Sequence, residues 1–131
     1  MAEPAGAVTG LAILLWAADP SEPQRLATPF FHAAAAAALE LEVEIYFSAG
    51  SVLLLKPGVA EGLRASDHNA MTIAQHMQQA LSHGVRFLAC TDALHANGMS
   101  REGLIPAVAG HGGAVQFMSR LADPAWRTLV F

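Results

Sequence analysis

The only cysteine of the chain, Cys90, has the position that best suits covalent chemistry. It follows the apolar residues 85–89, which predict a buried strand, and it precedes Thr91 and Asp92, which are residue types that cap helices. A short helix is predicted from Asp92 up to the terminating Gly98. Ligands of parallel α/β sheets bind at the carboxyl ends of the strands, and a helix N-terminus favours the thiolate form of cysteine. Cys90 is therefore a candidate nucleophile.

Cys90 also has a structural interpretation, which its sequence context leaves open. A free cysteine is among the most often buried residue types and packs as a small hydrophobe. The negative charge of Asp92 would disfavour the thiolate, and His95 would offset that effect only if its ring turned back toward the sulfur.

Further polar residues at the predicted strand ends are expected to surround Cys90. The Gly-His-Gly-Gly sequence at residues 110–113 could form an anion-binding nest at the start of a helix, or only a flexible turn. Asp19 could act as an acid, although a helix cap is the simpler interpretation. The predicted pocket consists of Trp16, Asp19, Ser48, Thr91, His95, His111 and Gly112.

Other combinations of reactive residue types do not form recognisable sites. Ser66, Asp67 and His68 are the residue types of a hydrolase triad, but consecutive residues cannot reach one another in triad geometry, and no GxSxG elbow is present. His76 and His83 are two turns apart on a predicted helix, too far for a shared metal ion. Since HExxH and paired cysteines are also missing, we expect no metal site and no cofactor.

The composition indicates the kind of partner this chain has. Of its 131 residues 53% are hydrophobic and 14% are charged, against about 25% charged in a typical soluble domain. We therefore expect a homo-oligomer, because a small monomer would leave apolar surface uncovered. The net charge of −4 and the scattered Lys and Arg residues argue against nucleic acid or an anionic membrane as a partner. A single cysteine excludes an internal disulfide, which fits a reducing cytoplasm.

The apolar runs predict neither a membrane span nor a signal peptide. No run reaches the ~20 residues that a spanning helix needs. Residues 8–18 are the obvious apolar stretch, but it is too short and no basic residue precedes it. Residues 1–6 are expected to form a loose tail.

The alternation of predicted elements indicates one α/β domain over residues 1–131. We expect a three-layer sandwich with a five-stranded parallel sheet in the flavodoxin-like order 2-1-3-4-5 and helices on both faces. The first and third strands would then flank the point where the strand order reverses, so that Asp19 and Cys90 would face each other. Strands are predicted at residues 8–16, 42–47, 85–89, 104–109 and 126–131. The second is expected near the edge of the sheet, and the fourth is expected to be short or near an edge, because it contains Pro106. Helices are predicted at residues 29–40, from Ser66 or Asp67 to Gly84, at 92–97, and from Gly113 to Asp123.

The order of these segments resembles the DsrE/DsrF-like family, which includes the TusD-type sulfur-relay subunits. The segments that carry the resemblance are an early apolar strand, PFFHAAAAAALELEVEIYFSAGSVLLL, HGVRFLACTDALHANGM, EGLIPAVAG and the closing TLVF. The resemblance implies a five-stranded parallel α/β domain that assembles, commonly as a trimer or a hexamer. It also implies a cysteine after the third strand that accepts sulfur as a persulfide and passes it on, and Cys90 occupies the matching position.

Our leading hypothesis is a cytoplasmic, homo-oligomeric sulfur-relay protein, sulfurtransferase-like if active, whose Cys90 exchanges sulfane sulfur with donor and acceptor proteins. The N-terminus of the following helix would assist ionisation of the sulfur. The alternative is a non-enzymatic oligomeric module that binds a small ligand or a partner, with Cys90 serving only in packing. A redox sensor that uses the same cysteine is a third interpretation.

Overall fold

The computed structural model describes residues 6–131, so that of the predicted tail only Gly6 lies within the described residues. Within these residues, five strands alternate with four helices. The strands are β1 (Gly10–Leu15), β2 (Glu42–Phe47), β3 (Arg86–Ala89), β4 (Val108–His111) and β5 (Trp126–Val130). The helices are α1 (Ala27–Ala38), α2 (Ile73–Ser82), α3 (Thr91–Ala96) and α4 (Ala114–Ala122). Short 3₁₀ helices lie at Pro23–Arg25, Ala49–Leu55, Ala60–Gly62 and Arg101–Gly103.

The five strands form one parallel sheet, as predicted, but in the order β4-β3-β2-β1-β5. The predicted order 2-1-3-4-5 is wrong, because β3 pairs with β2 and not with β1. The chain moves in one direction from β1 to β4, and right-handed crossovers in one direction keep their helices on the same face. The return from β4 to β5 runs the other way and brings α4 to the opposite face. Helices therefore cover both faces, but three lie on one and one on the other.

The larger core lies between the sheet and the three helices α1, α2 and α3. Its centre is a cluster of Phe30, Phe47 and Phe87, whose ring centroids are 5.0 to 6.3 Å apart. Ala33 and Ala36 are the buried residues of the alanine run, and their small side chains let α1 lie close to the sheet. This core fixes β2 and β3 side by side.

The smaller core lies between the sheet and α4 and is formed by Ala12, Tyr46, Leu88, Phe117 and Trp126. The polar-apolar alternation of β2 puts Glu44 on this face, where it is fully buried. The prediction that β2 lies near an edge is therefore wrong. Glu44 faces a charged partner on α4 and not water, whereas Glu42 at the start of the strand is exposed.

Two elements, α2 and β4, begin several residues later than the sequence predicts. Helix α2 begins after Thr72, whose side chain and that of Gln75 form a reciprocal capping box, whereas Ser66 begins a tight turn that Asn69 closes. Strand β4 begins only at Val108, whose N–H donates to the carbonyl of Ile105 across a turn with Pro106 at its second position. As a result, His111 ends a strand and does not lie in a loop.

None of the helices within residues 6–131 has the length and apolar character that crossing a membrane would require.

Acidification is expected to destabilise the fold through His76. This side chain is 1% exposed, its ring meets Phe31 edge-on, and its Nδ1 has no recorded partner among the described residues. Burial lowers the pKa of His76 from its ordinary value of 6.5. Below pH 6.5 His76 is protonated in the unfolded chain but stays neutral in the folded chain until its lower pKa is reached. The free energy of unfolding therefore falls by up to about 1.4 kcal/mol per pH unit in this range.

Urea unfolding of wild type and of His76→Leu between pH 7.5 and pH 5 measures this contribution. The variant should lose part of the pH dependence. His83→Gln is the matched control, because His83 is an exposed residue at the end of the same helix. If His76→Leu kept the full wild-type slope, the buried imidazole would not be its source.

Candidate functional site

After β3 and after β4 the chain leaves the sheet toward opposite faces. The segment after β3 enters α3 on the larger-core face, and the segment after β4 enters α4 on the other face. Adjacent strands with this property leave a crevice between them, where ligands of α/β proteins bind. The crevice therefore lies between Cys90 and His111, and not between the first and third strands as expected, because β1 and β3 are not neighbours.

Cys90 is the N-cap residue of α3 and is partly exposed. Its N–H donates to the carbonyl of Phe47 at 3.0 Å, and its own carbonyl accepts the N–H of Leu94 at 3.0 Å. These two bonds hold the backbone at the end of the sheet. The residue lines a cavity of about 270 Å³.

The cavity beside Cys90 has mostly hydrocarbon walls. The sheet contributes Leu14 and Tyr46, α4 contributes Ala114, Phe117 and Met118, and the intervening loops contribute Ser48, Gly112 and Gly113. None of these lining residues carries a formal charge. Cys90 is thus partly exposed in largely apolar surroundings, and it also packs against the larger core.

A buried charge cluster lies next to this cavity, on the same face of the sheet. The carboxylate of Glu44 accepts two hydrogen bonds from Arg120 at 2.8 Å, one from the Tyr46 hydroxyl at 2.7 Å, and a longer one from Arg86 at 3.4 Å. Burial alone would raise the pKa of Glu44, but the bonds from Arg120 and Tyr46 and the two guanidinium charges lower it below its usual value. The carboxylate is therefore ionised at neutral pH.

Tyr46 joins the charge cluster to the cavity. Its ring lines the cavity and meets the ring of Phe117 edge-on, with centroids 5.4 Å apart. Burial, together with the hydrogen bond to Glu44, raises the pKa of Tyr46 to about 12. The hydroxyl is thus committed to Glu44 and does not serve as an acid toward Cys90.

Gly112 is required by close packing at the cavity. A Cβ atom there would lie 2.7 Å from the Cβ of Leu88 and 2.8 Å from the ring of Tyr46, whereas one at Gly113 would meet nothing within 4 Å. Gly112→Ala is therefore expected to lower the free energy of unfolding by about 1–3 kcal/mol, the usual cost of overpacking.

Chemical denaturation measures the effect of Gly112→Ala, and Gly113→Ala is the matched control one residue away. The neighbour's φ of −101° is also open to alanine, so the control should stay close to wild type. Equal stability of the two variants would show that the backbone moves freely here.

The structure brings some of the predicted pocket residues together. Ser48 and Gly112 line the cavity with Cys90. Thr91 and His111 are joined by a hydrogen bond of 3.0 Å between Oγ1 and Nδ1. They connect the ends of β3 and β4, although His111 lines two neighbouring grooves and not the Cys90 cavity itself.

Three other predicted pocket residues lie elsewhere. Trp16 is an exposed residue after β1 and donates its N–H to the carbonyl of Phe131. Asp19 accepts the N–H of Ser21 at 2.8 Å and lies beside Gly50, and His95 is exposed on α3. None of the three lines the cavity with Cys90.

Sequence reasoning did not identify the aromatic walls of the cavity. Tyr46 follows Glu44 by two residues and therefore shares its face of β2, which was an available signal. The proximity of Phe117 and Met118 depends on the return of the chain to the opposite face of the sheet. Within residues 6–131 no cluster of three His, Cys, Asp or Glu side chains has the geometry to hold a metal ion.

Comparison with known proteins gives one family and several similar folds. The model of the DsrE/DsrF-like family matches residues 12–131. No curated protein matches the chain. Among solved structures, the ychN protein from E. coli is 17% identical with a TM-score of 0.70, and the match covers 93% of this chain and 99% of that protein.

Two further solved structures are similar in the same way. MTH1491 from Methanobacterium thermoautotrophicum, a protein of unknown function, is 21% identical with a TM-score of 0.63 and covers 92% of this chain and 96% of its own. BT1422 from Bacteroides thetaiotaomicron, also of unknown function, is 13% identical with a TM-score of 0.62 over 92% and 94% of the two chains. At these identities the solved structures establish the fold alone.

Proposed function

Because the chain belongs to the DsrE/DsrF-like family, we propose that it is a sulfur-relay protein whose Cys90 carries sulfane sulfur as a persulfide. The observation that carries the proposal is the position of its single cysteine. Cys90 lies at the carboxyl end of β3, beside the crevice between β3 and β4, and is one of the residues that line a cavity reaching α4. A cysteine used only for packing has no need of such a cavity.

The proposed chemistry is two successive exchanges at the outer sulfur of a persulfide. The Cys90 thiolate attacks the outer sulfur of a donor persulfide, the donor S–S bond breaks, and the donor leaves as a thiolate. An acceptor thiolate then attacks the outer sulfur of Cys90–S–SH and releases the Cys90 thiolate. Each step forms one S–S bond and breaks another, so the sequence needs no external oxidant or reductant. In this role the protein is sulfurtransferase-like.

The apolar walls of the cavity support this role. A persulfide is lost through attack by dissolved thiols and oxidants, and a cavity lined largely by hydrocarbon limits their approach. The proposal assigns the protein to a reducing cytoplasm, where a lone thiol stays free, with sulfur donor and acceptor proteins as its partners.

The proposal includes a homo-oligomer, with a trimer or a hexamer favoured. Its support is a set of exposed apolar side chains on α4 and on the α4 face of β5, which are Val115, Met118, Leu121 and Val130. Apolar side chains concentrated on one side of a small domain are typical of an interface. Light scattering on the purified protein, compared with Leu121→Asp, tests this part. A monomer at all concentrations would contradict it.

The test of the function is sulfur loading on the intact protein. After incubation with a low-molecular-weight persulfide donor and removal of the donor, mass spectrometry should show one added sulfur atom on the wild type. Cys90→Ser should show none, and an added thiol should remove the sulfur from the wild type. No added sulfur on the folded wild type, or equal addition to Cys90→Ser, would reject the proposal.

A non-enzymatic binding module is the second candidate, and one observation favours it. A larger cavity of about 390 Å³ lies on the other face, beside α2, with Met77, Leu81 and Ile105 among its lining residues. This volume is within the range of small-molecule pockets. The rate of alkylation of the native thiol separates the candidates, because the module predicts an unreactive Cys90 and the relay predicts a reactive one.

A further inference from the structure

Helix α4 forms one wall of the Cys90 cavity but has little apolar attachment to the sheet. Of its nine residues only Phe117 is buried, whereas Val115, Met118 and Leu121 are exposed. A helix with one buried aromatic residue would not by itself keep a fixed position. Another contact must therefore hold this wall.

Arg120 supplies that contact. It lies three residues after Phe117, on the same side of the helix, and its Nε and Nη2 each donate to Glu44 at 2.8 Å. Its guanidinium carbon lies 4.0 Å from the centre of the Trp126 ring. A bidentate bond to a buried carboxylate fixes both the distance and the orientation of the helix.

The same carboxylate also fixes the opposite wall. Glu44 accepts the hydroxyl hydrogen of Tyr46 at 2.7 Å, and the Tyr46 ring faces Phe117 across an edge-on contact with an interplanar angle of 80°. The same ring packs against Gly112, where an added Cβ would lie 2.8 Å from it. One buried group thus holds a side chain on each side of the cavity.

We propose that Glu44 is a positioning residue that sets the width of the Cys90 cavity through Arg120 and Tyr46. The width in turn selects the size of the donor or acceptor group that reaches the sulfur. This inference rests on the proposed function of Cys90, but it concerns access to the thiol and not sulfur transfer itself.

The test compares two neutral alkylating reagents of different size, iodoacetamide and N-phenylmaleimide. The ratio of the two alkylation rates at Cys90 is measured in the folded protein and is divided by the same ratio in the urea-unfolded protein. The result measures how strongly the cavity excludes the larger reagent. Tyr46→Phe and Arg120→Lys each remove part of the Glu44 cluster while keeping the ring or the charge. Each is expected to weaken the exclusion by about tenfold, the factor that one hydrogen bond to a charged group can supply.

Two controls separate positioning from general loss of stability. Arg86→Gln removes the longer contact to Glu44, which comes from β3 and not from α4, and should leave the ratio unchanged. Met77→Ala destabilises the larger core on the opposite face and should also leave it unchanged. Amide hydrogen exchange of residues 114–122 should accelerate in Arg120→Lys but not in Met77→Ala.

The outcomes distinguish this inference from the proposed function. If Tyr46→Phe and Arg120→Lys both fold and keep the wild-type ratio, or if Met77→Ala changes it equally, Glu44 does not position the walls. If the ratio changes as expected but Cys90 never gains sulfur, the inference about the walls stands and the relay proposal fails.

Discussion

Arg120→Met is expected to lower the free energy of unfolding by about 3–5 kcal/mol, the effect of removing one partner from a buried ion pair. Glu44 has no solvent exposure, and after the substitution it keeps only the Tyr46 hydroxyl and the Arg86 contact at 3.4 Å. The remaining carboxylate would be both buried and poorly neutralised. Urea unfolding at pH 7 measures the loss.

The pH dependence of the same variant gives an independent check. In the wild type the lowered pKa of Glu44 stabilises the fold above the ordinary value of 4.5, and this contribution is lost as the pH falls through the folded pKa. In Arg120→Met fewer hydrogen bonds oppose the effect of burial, so the pKa of Glu44 in the folded protein rises. Protonation of Glu44 then removes the unpaired charge. The difference in the free energy of unfolding between wild type and Arg120→Met should therefore decrease on acidification.

The double variant Glu44→Met/Arg120→Met is the matched control for the ion pair. Replacing both partners of a buried pair by apolar residues is often close to neutral, so the double variant should be more stable than Arg120→Met alone. A loss below about 1 kcal/mol in Arg120→Met, the usual range of a surface pair, would contradict the account of Glu44.

Phe47→Ala is expected to have a similar effect through a different mechanism, with a loss of about 3–5 kcal/mol. Phe47 is fully buried, its ring contacts Phe30 and Phe87, and its carbonyl accepts the N–H of Cys90 at 3.0 Å. The cavity left by the ring lies directly beneath the end of β3. Thermal unfolding measures the stability, and native alkylation should report a more mobile Cys90.

Phe31→Ala is the matched control, because Phe31 lies on α1 but is 50% exposed. Its removal should cost clearly less than that of Phe47, since a half-exposed ring loses less buried area. If the two variants were equally destabilised, the aromatic cluster would not be the centre of the larger core.

Local patterns predicted the elements better than their arrangement. The alternation in EVEIYF gave the bounds of β2, and Gly84 and Gly98 end their helices with positive φ as predicted. The start of α2 was missed because Ser66 and Asp67 are cap residue types, although Thr72 and Gln75 carry the more specific capping-box spacing. A cap residue type alone therefore does not place a helix start. A Glu or Gln three residues after the cap residue is also needed.

Strand order could not be read from the sequence. The apolar character of β1 and β3 is the same whether they are neighbours or are separated by β2, so the flavodoxin-like order came from analogy alone. The location of the candidate site depends on the observed strand order. Cys90 and Gly112 were identified from the ends of their own strands, whereas the Glu44–Arg120 pair joins residues far apart in the chain and arises only from the return of α4 across the sheet.

The central claim is that sulfur passes through Cys90, and isotope transfer tests it most directly. A donor persulfide labelled in its outer sulfur is mixed with the protein, the protein is isolated and weighed intact, and an acceptor thiol is then added. The account predicts one labelled sulfur per chain at Cys90 and its stoichiometric appearance on the acceptor, with neither in Cys90→Ser. Label that reaches the acceptor without ever residing on the protein, or that loads Cys90→Ser equally, would contradict it.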